Sequence, residues 1–330
     1  MRESGSKALM RINSHIIRRS LRALLIVVFG LPLTSCFTGI EGTKTIELSR
    51  SDRKLVAVTA EDTFLNPVEA TALAEWKPGK RFMVADDRVR LVIDLSLSDS
   101  GVAEMPLKDK IISFTGYSWR NRPDGSKEAM VMLETADGKR IAFPTGKNAE
   151  SASRELRSDG SPMLIDMDMI AKASDLLVGK RLWTKSPIWY DSAGNRISGR
   201  KYIPVKVEKV DPGTLVFPVR LEITDDRGTK AYMLMNFGNT ATDSRSFANL
   251  FSLSDIRKGY PAIEDDVWKL ICDGNVKTGM TKEECRLALG NPIDVKSGHD
   301  YNRLLDIWQY DDGCYLQFAD GILFNFRLLK

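Results

Sequence analysis

The same opening occurs twice in this chain, one hundred residues apart: "KPGKRFMVADDRVRLV" at 77–92 and "LVGKRLWTKSPIWYDS" at 177–192. In each copy Gly-Lys-Arg leads into an apolar, strand-like segment. A second such segment follows, "IISFTGY" at 111–117 and "YIPVKVEKV" at 202–210. A hairpin pattern closes each copy, "AMVMLETADGKRIAF" at 129–143 and "LVFPVRLEITDDRGTKAYMLMNF" at 215–237. Asp137-Gly138 and Arg227-Gly228 stand where tight turns require positive φ. Leu215, Phe217, Val219, Leu221 and Ile223 alternate as a half-buried strand does. A recurring supersecondary unit restricts architecture more than any single motif. The expectation is two small antiparallel β modules, over 67–148 and 149–241, built as barrels or curled sheets. Duplication would relate them, although few residues are identical.

The segments around the copies are shorter. "SPMLIDMDMIAKASDLLVGK" at 161–180 sets Leu164, Met167, Ile170 and Ala171 at helical spacing, and Gly179 ends the run. This predicts a helix packed on a sheet or bridging the modules. A weaker helix is predicted over Val68–Trp76, stopped by Lys77-Pro78. Residues 242–264 are polar and turn-rich and read as a linker. Residues 36–66 are polar with weak periodicity and read as a tether.

The last unit, 265–330, carries explicit helix punctuation. "DDVWKLI" at 265–271 is a short amphipathic helix. In "KTGMTKEECRLALGNP", Thr281 is an N-cap and Glu284 completes a capping box, each side chain satisfying a backbone N–H. Met280 and Cys285 fall at hydrophobic-staple positions. Cys285, Ala288 and Leu289 share one face, Gly290 allows a left-handed cap, and Pro292 forbids continuation. Strand signals follow in "LLDIWQY", "CYLQF" and "ILFNFRLL", separated by "DDG" and "ADG". The predicted order is two helices over a three-stranded meander, so the whole chain is expected to be α+β.

This αα-βββ order resembles the SmpA/OmlA family, also called BamE-like. The matching residues are Gly279, Met280, Thr281, Ala288, Leu289, Gly290, Pro292, Trp308, Tyr310, Phe318 and Gly321. Cys285 departs from the aliphatic residue usual in the family. The resemblance covers a fifth of the chain, and the upstream β modules resemble no family. It implies an envelope module that makes protein–protein contacts, as in an accessory subunit of outer-membrane β-barrel assembly. Related folds occur in proteins that inhibit secreted enzymes. The matching positions specify a fold, not a contact surface.

The N-terminus reads as an address. Arg11, Arg18, Arg19 and Arg22 form a basic front, and Ala23 to Ser35 follow without a charge. That layout is a secretory signal over 1–35, its apolar run too short to span a bilayer comfortably. Leu33-Thr34-Ser35-Cys36 resembles the lipobox of bacterial lipoproteins; the bland alternative is an ordinary leader with a chance cysteine. The resemblance implies cleavage before Cys36, a lipid on its sulfur and acylation, as by palmitate, of the new amine. Two or more acyl chains hold a protein on a membrane durably, at roughly 0.8 kcal/mol per buried methylene. Phe37 is not the aspartate that retains many such proteins at the inner membrane. The implied location is the outer membrane, facing the periplasm.

Removing 1–35, with its six Lys/Arg and one Glu, takes the net charge from +4 to −1. The composition then argues against a uniformly basic nucleic-acid binder. His299 becomes the sole histidine and reads as a loop residue in "SGHDYN". That disfavours His-based metal sites and a Ser–His–Asp triad. Cys272, Cys285 and Cys314 allow one disulfide in an oxidising compartment, in any of three pairings, or three buried thiols.

Other motifs are weak. Gly116-Tyr117-Ser118-Trp119-Arg120 lacks the final glycine of a nucleophile elbow. Ser51 and Lys54 match S-x-x-K within the tether. Asp166 and Asp168 are two apart on a predicted helix and read as capping or solvated groups. "YDSAGNRISG" at 190–199 is calcium-like only in outline and reads as a hairpin turn. Trp119, Trp183, Trp189 and Tyr190 are either core or a platform for a small ligand or glycan. No catalytic residue, cofactor site or metal site is expected. The expected role is a non-catalytic, membrane-anchored scaffold with an envelope protein partner.

Overall fold

The computed structural model describes residues 58–160, 163–238, 244–300, 303–311 and 313–328. The expected leader, Cys36 and the first part of the expected tether lie outside them. The chain divides into Met1–Ala57 and one compact unit, Val58–Lys330.

Described structure begins with α1 (Ala60–Thr63), closed by a capping box between Thr59 and Asp62. The end of the expected tether is therefore folded. Leu65 is buried, Phe64 stacks on Phe247 at 4.7 Å, and Glu61 accepts hydrogen bonds from Ser252 and Leu253. The helix predicted over Val68–Trp76 is reduced to a 3-10 turn at Leu73–Glu75. There Ala72 bridges to Arg157 and the Leu73 amide donates to Leu156, so long-range pairing displaces local helix.

The first sheet contains β1 (Arg81–Val84), β2 (Ile111–Asn121), β3 (Lys127–Thr135) and β4 (Arg140–Pro144). After α2 (Ala149–Glu155), β5 (Leu164–Asp166) returns beside β1, giving the order β4-β3-β2-β1-β5. The predicted bridging helix is α3 (Met167–Leu177), which packs against both β1 and the strand Pro204–Pro212 of the second sheet; Leu164, expected on its stripe, lies instead in β5, and Ala171 is exposed. Its apolar stripe buries Met169, Ile170, Ala173 and Leu177.

The second sheet contains β6 (Arg181–Thr184), β7 (Ile188–Tyr190), β8 (Arg196–Ser198), β9 (Pro204–Pro212), β10 (Val219–Asp225) and β11 (Lys230–Met235). The alternation starting at Leu215 enters the sheet only at Val219. Upstream, Gly213 and Thr214 turn back onto Pro218 and Phe217. The expected linker supplies α4 (Phe247–Leu250) and β12 (Phe251–Ser252), which pairs with β6. Phe247, Leu250 and Phe251 have no exposed area, so this stretch is core and not a spacer. The order is β12-β6-β9-β10-β11-β7-β8.

Five strands of the second sheet, β11-β10-β9-β6-β12, run in the order of the whole first sheet. Main-chain contacts repeat as well. Gly79 donates to Phe114 and receives its amide at Lys80; Gly179 and Lys180 do the same with Val207. Gly138 and Gly228 both turn their hairpins at positive φ, 82° and 81°. The second copy differs by inserting the β7–β8 hairpin, the polar turn predicted at 190–199.

The last unit has α5 (Asp265–Cys272), α6 (Lys282–Leu289) and strands β13 (Asp294–Asp300), β14 (Arg303–Gln309), β15 (Tyr315–Ala319) and β16 (Ile322–Arg327). The capping box of Thr281 and Glu284 is present, and Met280 and Cys285 are buried. The meander has four strands where three were expected. The extra one, β13, contains His299, placed above in a loop. Its sequence is too polar to read as a strand; it forms by pairing along its full length with β14. Trp308, Leu316, Phe318 and Leu323 join the core shared with the second sheet. Among the described residues no helix is long and apolar enough to cross a membrane.

Candidate functional site

Three consecutive residues, Arg200, Lys201 and Tyr202, join the second sheet to the last unit. Helix α6 ends in backbone carbonyls without intrahelical partners, as every helix does. Pro292 has no N–H to offer Ala288. The Lys201 ammonium supplies the missing donor, reaching the Leu287 carbonyl at 2.6 Å and the Ala288 carbonyl at 2.5 Å. A cation at the negative end of a helix is favourably placed. Lys201 is 7% exposed, and burial pushes its ammonium down to about 8. Beside it, Arg200 is held by Asp273 at 2.9 Å and Asp226 at 2.6 Å. Tyr202 adopts a left-handed backbone, φ 57°, which is uncommon for a bulky residue and costs energy. Its amide donates to Thr184 and its ring lies 5.7 Å from Trp268.

Arg200 and Tyr202 line one wall of an open groove of about 390 Å³. Trp183 and Arg181 from β6 face Trp268 and Lys269 from α5 across it. Arg181 lies over Trp183, and Arg257 over Trp268 at 5.0 Å. Arg257 is fixed by the Asp265 carboxylate and by the Tyr260 and Ile263 carbonyls.

The residues singled out in the sequence do not converge here. Trp189 is buried, Trp183 is half-buried, and Trp119 is 49% exposed in a separate cavity with Lys127 and Asn148. Tyr190 stacks on Tyr232 at 5.2 Å. The expected aromatic platform is therefore not assembled. Ser118 lies mid-strand in β2, opposite Met130, and makes no elbow. Asp166 caps α3, and with Asp168 it holds the buried Lys80 ammonium, both at 2.8 Å. Cys272, Cys285 and Cys314 are buried thiols with no disulfide between them. Burial pushes the Cys272 thiol up to about 11 and the Cys285 thiol up to about 12, which makes both poor nucleophiles. Among the described residues no cluster of three His, Cys, Asp or Glu is placed to hold a metal ion.

A second surface belongs to the last unit. Its sheet runs β13-β14-β15-β16. The β16 edge is partly covered, because the Gly279 amide donates to Leu323 and the Leu323 amide to Met280, both at 2.8 Å. The outer edge of β13 has no strand beside it among the described residues. Ile293, Val295 and Phe324 stand exposed on this unit, Phe324 at 50%. Asp306 holds β14 to β13 and α6 through Ser297 and Lys282, keeping that edge in place.

Sequence reasoning missed Arg200, Lys201 and Tyr202. Their partners in the last unit, Asp273, Leu287 and Ala288, are 73 to 87 residues away along the chain, and nothing local marks them. Comparison of the chain with protein families, curated proteins and solved structures gives no match.

Proposed function

We propose that this chain is a lipid-anchored envelope protein that works by contact and not by turnover. The observation that carries the reading is Leu33-Thr34-Ser35-Cys36 behind a basic front and an apolar run. Acylation at Cys36 keeps the protein on the outer membrane, facing the periplasm. The β modules, a duplicated unit, present the last unit to an envelope partner such as the outer-membrane assembly machinery. The αα-β order of 265–328, its resemblance to BamE-like modules and the open edge of β13 support that assignment. An edge strand offers unpaired N–H and C=O groups, and an extended segment of a partner completes them. Val295, exposed on β13 itself, adds apolar contact.

A photo-crosslinking residue placed at Val295 in intact cells tests the contact role. The expected result is a discrete protein adduct from Val295 and none from Leu95, an exposed control in the first module. Recovery of self and lipid adducts only would remove the scaffold assignment.

A further inference from the structure

The groove between β6 and α5 has a composition that contact with a protein edge does not require. Its size lies within the range of small-ligand sites. Trp183 is half-buried there, with Arg181 over its ring. Most charges along the groove are already satisfied. Arg200 is neutralised by Asp226 and Asp273, and Arg257 by Asp265. Two cations are left over: among the described residues neither Arg181 nor Lys269 has a carboxylate partner. Asp255 caps the 3-10 turn Ile256–Gly259 with one oxygen, which leaves its other oxygen as an acceptor. Tyr202 holds its strained conformation at this place. Such strain persists where surrounding structure over-determines it and is concentrated at ligand sites.

We propose that this groove binds a saccharide that carries a carboxylate. Sugar rings present an apolar C–H face that stacks on an indole ring, here Trp183. Their hydroxyls need acceptors, and Asp255 provides one. The carboxylate on the sugar pairs with Arg181 and Lys269, of which Arg offers a planar fork matched to it. Trp268 and the clamped Arg257 form a rigid floor, so little ordering is required on binding. The inference is independent of the contact role assigned to β13.

The test is a titration of purified full-length protein in detergent, read by tryptophan fluorescence and by calorimetry. The probes are an oligogalacturonate, a neutral chitotriose, inorganic phosphate and a tetraglutamate peptide. The oligogalacturonate is expected to saturate with a dissociation constant below about 1 mM and to bind more tightly than the other three. Trp183→Ala weakens it about tenfold. Arg181→Gln with Lys269→Gln weakens it about tenfold and brings it level with chitotriose. Both substituted residues of that pair are surface cations without carboxylate partners, so the double variant keeps the fold. Trp119→Ala, in the other cavity, leaves binding unchanged. The proposal is overturned by absence of saturation up to 10-fold above that limit, by indifference to both groove variants, or by tighter binding of phosphate or tetraglutamate.

Discussion

Lys201→Met is the most informative single change to the fold. Methionine keeps the apolar stem and removes the ammonium that bridges Leu287 and Ala288. Two hydrogen bonds to a charged donor contribute about 1.5–3 kcal/mol each. Against them stands burial of the charge: a fall from 10.5 to about 8 corresponds to about 3 kcal/mol. These terms nearly cancel, so the sign is decided by what the variant leaves behind. Two carbonyls at the end of α6 lose their donor in a largely dry place, at about 1–3 kcal/mol each. The expected net loss is about 2–6 kcal/mol. Urea denaturation reports the global change, and hydrogen exchange reports where it falls. Exchange is expected to accelerate over α6 and α5 before it does over β2 and β3. A variant with an unchanged or raised midpoint would show that the ammonium is a tolerated burial and not a fastener.

Gly199→Ala places a Cβ 2.3 Å from the Trp189 indole, which is itself buried, so a loss of more than about 2 kcal/mol is expected in the same denaturation assay. Thr281→Ala removes half of the α6 capping box, and a loss of about 1 kcal/mol is expected, recovered in large part by Thr281→Ser. Alkaline pH acts on the buried acids. Desolvation raises Cys272 from 9.0 to about 11, Cys285 from 9.0 to about 12 and Tyr310 from 10.0 to about 12. The native state keeps these protons where the unfolded chain has lost them, so stability falls as pH rises across that window. Lys201 has the opposite sign. Between about 8 and 10.5 the unfolded chain holds the proton that the native state has released, and this contribution rises with pH. The denaturation midpoint is therefore expected to drop most steeply above pH 10.5, and Lys201→Met is expected to begin its decline earlier.

Local signals carried much of the fold. The capping box at Thr281, the stop at Gly290 and the positive-φ turns at Gly138 and Gly228 depend on neighbouring residues, so the sequence displays them directly. The offset between the two Gly-Lys-Arg openings anticipated two sheets whose shared strand order is visible only in three dimensions. What failed was non-local. Strand β13 exists because β14 templates it, and its own residues, "DVKSGHD", have no apolar alternation to betray it. The 242–264 stretch looked like a linker because its core residues, Phe247, Leu250 and Phe251, are few and set among polar ones. The joint was invisible because Lys201 and the end of α6, 86 to 87 residues apart, are brought together only by the packing of the second sheet on the last unit.

The anchor is the claim on which the functional reading depends. Mass measurement of the membrane-extracted protein, with fractionation of Cys36→Ser beside it, tests it most directly. The account predicts a mature N-terminus at Cys36 carrying acyl mass, and a Cys36→Ser protein that leaves the membrane fraction. An unmodified chain, or a serine variant that still sediments with membranes, would contradict it.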